Sequence, residues 1–328
     1  MTKPIDFILC WVDDSDPEWQ REKRYYSPSK QVDNRKIRYR DWDLLHYWFR
    51  GVEKFAPWVN KIHFVTYGHI PKWLNTCHPK LNIVRHEDYI PKEFLPTFSA
   101  RPIEINLHRI KGLAEQFVYF NDDMYLINNV SEDYFFSKGK PRDVAALDII
   151  NSPDYIHSNA KFNSTYIINK HFNKRKSIID NFFKWYNFKN LKTLIRSTLL
   201  FPWSVFPGFY TPHLPNSFLK STFEEVWEKE KDILEQTSQH KFRETTDVTQ
   251  YLFKFWQLAS GNFATHKSNG ELFNIGINQN EILEAVRKQK YSIVCLNDNN
   301  FITNFEDTKK ELNIAFSSVF DKKSSYEL

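Results

Sequence analysis

Glycine is scarce in this chain, 8 among 328 residues, and the scarcity removes several functional classes at once. There is no Gly-x-Gly-x-x-Gly turn, no glycine-rich loop ending in Lys-Ser/Thr, and no Gly-x-Ser-x-Gly elbow. Dinucleotide oxidoreductase, P-loop nucleotidase and α/β-hydrolase readings therefore have no support. Cysteine is equally sparse. Cys10, Cys77 and Cys295 are odd in number and without paired spacing, which argues against a disulfide framework or zinc site and for buried thiols in a reducing compartment. No apolar run is long enough to span a bilayer, and Met1-Thr2-Lys3-Pro4 leads straight into a strand-like segment with no signal-peptide core. A cytoplasmic protein is expected, free to associate peripherally with the inner face of the cell membrane. Lys and Arg outnumber Asp and Glu only 45 to 40, without a dense basic tract, so nucleic acid is not an expected partner.

What the chain has in quantity is aromatic side chains: 29 Phe, 16 Tyr and 10 Trp, 17% of all residues. With 41% apolar residues, that composition builds a large packed core. Five β-type runs stand out, at 5–12, 61–67, 81–86, 117–121 and 291–296. Helical spacing fills 41–56, where Leu45, Trp48, Phe49, Val52 and Phe55 recur before Pro57 stops the pattern. Pro102 and Glu104 predict another helix start, running through 116. Strands alternating with helices indicate an α/β fold with a mostly parallel sheet. Between 151 and 270 helical patterns dominate, notably at 222–239 and 246–260, with no clear strand alternation. The chain therefore divides into an α/β core, residues 1–150 and 271–328, and a helical insertion at 151–270. The polar tail after Phe316 is expected to fray.

Ligands of such sheets bind beyond the carboxyl ends of the strands. Here those ends carry Asp13, Asp14 and Asp16; Glu87 and Asp88; Asn121, Asp122 and Asp123; and Asp298. One acidic strand end is a turn, but four make a site if the strands are neighbours. Burying Asp122 and Asp123 side by side needs a cation, a basic side chain or a proton. Helical spacing sets His108 at i+4 and Lys111 at i+7 from Glu104, as an acid/base group or as a surface ion pair. Arg109 and the loop 96–99 add polar groups near that helix start. Arg35, Arg38 and Arg40 precede the first long helix and either grip phosphate or form a solvated basic loop with Asp41. His213 stands between Pro212 and Pro215, a rigid presentation that suits a general base. Arg243, in His240-Lys241-Phe242-Arg243, is placed to neutralise phosphate charge. The stretch 182–210 mixes aromatic with basic residues, including Lys184, Trp185, Tyr186, Lys189, Lys192, Arg196, Trp203 and Phe206. It either meets lipid headgroups, stacks on sugar rings, or forms an aromatic core of the insertion.

Taken in order, these motifs resemble the Stealth family of sugar-phosphate transferases. A first block is similar to Ile5-Asp6-Phe7-Ile8-Leu9-Cys10-Trp11-Val12-Asp13-Asp14-Ser15-Asp16. A second runs from Arg38-Tyr39-Arg40-Asp41 through Ala56-Pro57-Trp58-Val59, Pro71-Lys72-Trp73-Leu74, Leu95-Pro96-Thr97-Phe98-Ser99, Ile103-Glu104 and His108-Arg109 to Asn121-Asp122-Asp123. A third covers His213-Leu214-Pro215 and His240-Lys241-Phe242-Arg243, and a short fourth Cys295-Leu296-Asn297-Asp298. The resemblance implies a glycosyltransferase-type nucleotide-binding core. It implies transfer of a hexose-1-phosphate or N-acetylhexosamine-1-phosphate from a UDP-sugar donor to a hydroxyl of a capsular or cell-surface glycan acceptor, lipid-linked, with release of UMP. It further implies catalytic roles for Glu104, Asp123, His213 and Arg243, and nucleotide binding by Trp11, Val12, Asp13 and Asp16. Arg38, Arg40, His108, Arg109, Asn121 and Asp298 are the further substrate-binding candidates. Asp122 and Asp123 are the expected ligands of Mg2+ or Mn2+ bridging the diphosphate. Asp14 stands where many relatives have Gly, and the large inserted modules of the animal enzyme are absent. The rival readings are a metal-dependent glycosyltransferase that releases UDP and a non-catalytic glycan-binding module.

Overall fold

The computed structural model describes residues 3–27, 40–151, 155–187, 191–299 and 301–328. Its main sheet has the order β3-β2-β1-β4-β8, from β1 (Ile5–Cys10), β2 (Ile62–Thr66), β3 (Leu81–Arg85), β4 (Gln116–Asn121) and β8 (Asn216–Leu219). The first four run parallel and β8 pairs antiparallel with β4. A second sheet orders β10 (Gly270–Asn274), β11 (Ile293–Asn297) and β5 (Met124–Leu126), and a small third one orders β6 (Phe136–Ser137), β7 (Lys140–Asp143) and β9 (Ala264–Thr265).

The strands are apolar on both faces because helices cover both faces, the usual state of parallel strands. Ile5, Phe7 and Leu9 of β1, with Val118 and Phe120 of β4, point into one core. Helices Leu45–Phe55 and Phe305–Val319 close that side, contributing Trp48, Phe49, Val52, Leu312 and Phe316. Gly51 lets the first of these helices approach, since a Cβ there would meet the Leu126 carbonyl oxygen at 2.6 Å. Ile8, Phe117 and Tyr119 point the other way, onto helices Lys220–Lys229 and Tyr251–Ala259.

From β1 the chain moves outward to β2 and β3, then returns to place β4 on the other side of β1. That reversal makes the carboxyl ends of β1 and β4 the switch point, where ligands of open α/β sheets bind. Register sets Cys10 opposite Asn121, so Trp11-Val12-Asp13 and Asp122-Asp123 emerge side by side.

Three expectations change. The stretch 151–270 is not wholly helical: β8 lies inside it and forms an edge of the main sheet. The helix expected over 102–116 ends at Ile105, and His108 falls in a separate short turn, so Glu104 and His108 do not share a helical face. The tail is docked: Arg50 Nε and Nη2 each donate to the Glu327 carboxylate at 2.7 Å, and Tyr326 is buried. As for the thiols, Cys295 is buried, Cys10 half-buried and Cys77 exposed. No helix among the described residues is long and apolar enough to cross a membrane.

Candidate active site

The switch point presents a histidine–carboxylate pair. The imidazole Nε2 of His213 lies 3.3 Å from Asp123 Oδ2. Asp123 lies in the two-residue turn between β4 and β5, and its carbonyl accepts from the Leu296 N–H at 2.8 Å, which ties it to β11. His213 reaches it from the loop that leads into β8. Burial acts to lower the His213 pKa, but the hydrogen bond and charge of Asp123, with the charge of Glu104, outweigh it and raise it. The other carboxylate oxygen, Asp123 Oδ1, is buried and has no hydrogen-bond partner among the described residues.

Asp122 stands at the mouth, exposed to solvent yet ringed by protein. That crowding, with the adjacent Asp123 charge, pushes its carboxyl up to about 7. A carboxyl raised by its neighbour's charge, beside a carboxylate with an orphaned oxygen, fits a hard divalent cation with oxygen ligands. Asp123, His213 and Cys295 also bring one donor atom each within 4.8 Å of one another. An imidazole and a thiol suit a softer ion than Mg2+.

Glu104 sits behind this pair, at the end of helix Ala100–Ile105. Its Oε1 accepts from the Tyr119 hydroxyl at 3.0 Å. Burial raises its pKa, while the Tyr119 hydrogen bond and the Arg243 guanidinium pull it partly back down. Arg243 rides on a loop pinned from below. Asp247, fully buried, takes Arg101 Nη1 at 2.7 Å, His240 Nδ1 at 2.6 Å and the Glu244 N–H at 2.9 Å. The Phe98 N–H donates to the Lys241 carbonyl at 2.8 Å, and the Phe98 and Phe242 rings stack.

Because the folded-state pKa of Glu104 lies above its unfolded value, stability is full at low pH and falls as pH rises through that interval. Above that interval the Glu104 carboxyl therefore costs stability. Glu104→Gln is expected to raise Tm near pH 7, with the gain vanishing at about pH 4, while turnover drops. Calorimetry at the two pH values checks it; an unchanged or lower Tm at neutral pH would refute the charge-burial account.

The remaining candidates divide by position. Trp11 stacks on Phe64 and meets His69 edge-on, and Val12 follows it half-buried. The Asp13 N–H donates to His69 Nε2 at 2.7 Å, and its Oδ1 accepts from Ser15 N and Oγ. Asp16 caps helix Pro17–Tyr26 through the Trp19 N–H at 2.7 Å. Asn121 closes β4 at the same level. Asp298 receives Arg40 Nη1 at 3.4 Å and Trp42 Nε1 at 3.2 Å. Arg38, like Arg35, lies outside the described residues. His108 and Arg109 are not brought to this cleft. His108 is buried against Phe223 and Trp227, its pKa pushed down to about 3 by burial, and Arg109 lies over the Trp227 ring. Sequence patterns passed over Tyr119, Arg101, Asp247 and Lys161. Lys161 Nζ donates to Thr211 Oγ1 at 2.9 Å, two residues before His213.

An α/β switch point that brings an imidazole–carboxylate pair near a half-buried glutamate and an arginine suits a group-transfer enzyme. The chain belongs to the Stealth family: residues 3–31 match Stealth protein CR1, conserved region 1, and residues 38–144 match Stealth protein CR2, conserved region 2. It is a phosphotransferase of that family. It is 41% identical over 327 residues, 98% of each chain, to capsular polysaccharide phosphotransferase WcwK of Streptococcus pneumoniae. It is also 41% identical over 335 residues, 100% of each, to receptor polysaccharide phosphotransferase WefC of Streptococcus gordonii. Exopolysaccharide phosphotransferase cps2G of Lactiplantibacillus plantarum is 37% identical over 98% of this chain and 96% of its own. Among solved structures, the galactosyltransferase LgtC is similar in fold alone, with a TM-score of 0.42 at 9% identity over 94% of this chain and 95% of that one.

Proposed function

We propose that this enzyme transfers a hexose-1-phosphate, or N-acetylhexosamine-1-phosphate, from a UDP-sugar to a hydroxyl of a capsular or cell-surface glycan. The observation that carries it is the His213–Asp123 pair at the switch point, flanked by Glu104 and Arg243. The acceptor hydroxyl oxygen attacks the sugar-bearing phosphorus. The bond from that phosphorus to the bridging oxygen breaks, and UMP leaves with the electron pair. Asp123 accepts from Nε2–H of His213, which leaves the Nδ1 lone pair to take the hydroxyl proton. Arg243 meets negative charge developing on the phosphate oxygens, and Glu104 holds Arg243 in place. Trp11 and Asp13 line the side where the nucleotide would enter. Asp122 and Asp123 would hold Mg2+ or Mn2+, which supplies charge neutralisation to the diphosphate.

Product analysis tests the reading. Incubation with UDP-sugars and a glycan acceptor is expected to release UMP and to yield a phosphodiester signal by phosphorus NMR. Release of UDP with no phosphodiester would replace it by glycosyl transfer. Saccharide binding without any nucleotide release, insensitive to changes at Glu104 and Asp123, would leave a glycan-binding module.

A further inference from the structure

Large apolar side chains are exposed unevenly over this molecule. Among the described residues, twelve of the twenty exposed large hydrophobic residues fall between Ile149 and Val205. The stretch 149–205 also holds nine Lys or Arg against two Asp, a formal balance of +7 where the whole chain carries +5. The rest of the molecule is therefore net −2. Exposed apolar surface concentrated in this way marks an interaction face.

The apolar residues form stripes on helices whose opposite sides are already buried. Helix Tyr155–His171 buries Ala160, Ser164, Ile167 and Ile168, and turns Phe162 and Tyr166 to solvent, 59% and 66% exposed. On helix Leu191–Leu200, Leu191, Ile195 and Leu199 recur every four residues and all are exposed. Phe183, between the two helices, is 85% exposed. Lys174 Nζ donates to the carbonyls of Leu200 and Phe201, and the Tyr186 ring lies 4.8 Å from Phe182 and 6.5 Å from Phe201. These contacts join the segments 174–186 and 191–201, and Asn169 with Phe206 ties helix Tyr155–His171 to the chain that follows, so that they form one wall. Arg175 and Lys176, on the short helix Lys174–Asp180, and Arg196, on helix Leu191–Leu200, are exposed as well.

We propose that this wall docks on an anionic lipid bilayer. Aromatic and aliphatic stripes interleaved with Lys and Arg are the pattern of a surface that enters the headgroup region without crossing it. A second copy of the chain is a poor occupant, because pairing like faces would set the exposed cations Arg175, Lys176 and Arg196 of the two copies against one another. Docking has a consequence for the site. The helix that presents Phe162 and Tyr166 also carries Lys161, bonded to Thr211 beside His213. The same helix grips the chain leading to His213 again through Asn169 and Phe206, at 2.8 and 3.0 Å. The histidine is thereby held at a fixed position relative to the lipid surface.

Vesicle sedimentation tests this with no donor or acceptor present, so it stands or falls separately from the transferase reading. The wild-type chain is expected to bind phosphatidylcholine vesicles containing phosphatidylglycerol at least about ten-fold better than phosphatidylcholine alone, and salt is expected to weaken it. Ile195→Glu with Leu199→Glu should reduce that binding by about ten-fold or more, with an unchanged circular dichroism spectrum and Tm. Arg175→Glu with Lys176→Glu should remove the preference for the anionic vesicles. Failure of the wild-type chain to sediment with them, or wild-type binding by the Ile195/Leu199 variant, would overturn the proposal. So would a concentration-dependent dimer by light scattering that the Ile195/Leu199 variant disperses.

Discussion

His213→Ala is expected to lower kcat by about 10²–10⁴-fold, the range that loss of a positioned proton acceptor produces. The side chain is 37% exposed and its one hydrogen bond among the described residues is to Asp123, so its removal leaves no buried cavity and Tm should hold. Donor KM should change little, because the imidazole acts on the acceptor hydroxyl rather than on the nucleotide. Asp123→Asn keeps the shape of the pair but removes the charge that holds Nε2–H, and is expected to lose part of the same rate. Since the two residues act as a unit in proton transfer, the losses in the double variant should be less than additive, any remainder beyond His213→Ala reporting the metal that Asp123 would hold. Initial rates of UMP release at saturating donor measure all three. A His213→Ala enzyme with wild-type turnover would remove the histidine from the chemistry, and strictly additive losses would dissolve the pair.

Much of this geometry is legible in the sequence. The five apolar runs became β1, β2, β3, β4 and β11; all but the partly buried edge strand β3 are covered on both faces, which needs continuous hydrophobic sequence. Strand ends rich in Asp and Asn pointed to the right edge of the sheet. What the pattern did not carry was the order of the strands, and that order decides which acidic ends meet. Glu87 and Asp88 end the outer strand β3, whereas Asp122 and Asp123 end a strand beside β1. Short strands were missed for a related reason. Asn216-Ser217-Phe218-Leu219 is too brief for a period to show, and it is a strand because β4 offers it an open edge. Helical periodicity was over-extended after Glu104, where Asn106 at the end of the helix bonds back to the Pro102 carbonyl and breaks the pattern. Asp247 and Arg101 were invisible as a pair because 146 residues separate them.

That pair carries the largest structural effect expected here. Asp247→Ala should destabilise the fold by about 3–5 kcal/mol, the usual result of stripping one partner from a buried ion pair. Arg101 is 4% exposed at its side chain and Asp247 is 0% exposed, so the guanidinium would be left charged in a site from which water is excluded. Arg101 retains the carbonyls of Glu244 and Ile156, at 2.7 and 2.8 Å, but these bring no full countercharge. His240 and the Glu244 N–H lose the same acceptor in one step. Both ends of the loop that presents Arg243 are then released, and Glu104, three residues after Arg101, loses the guanidinium that it faces. Turnover should therefore fall along with Tm, although Asp247 touches neither sugar nor phosphate. Arg101→Ala with Asp247→Ala should cost less than the two single changes together, because no unpaired buried charge remains. Calorimetry on the three variants, with UMP release at a temperature where each is folded, separates the two effects. If Asp247→Ala keeps wild-type Tm, the pair does not hold the loop. If it loses Tm but keeps wild-type kcat, Arg243 is positioned by the Phe98–Lys241 and Phe98–Phe242 contacts instead.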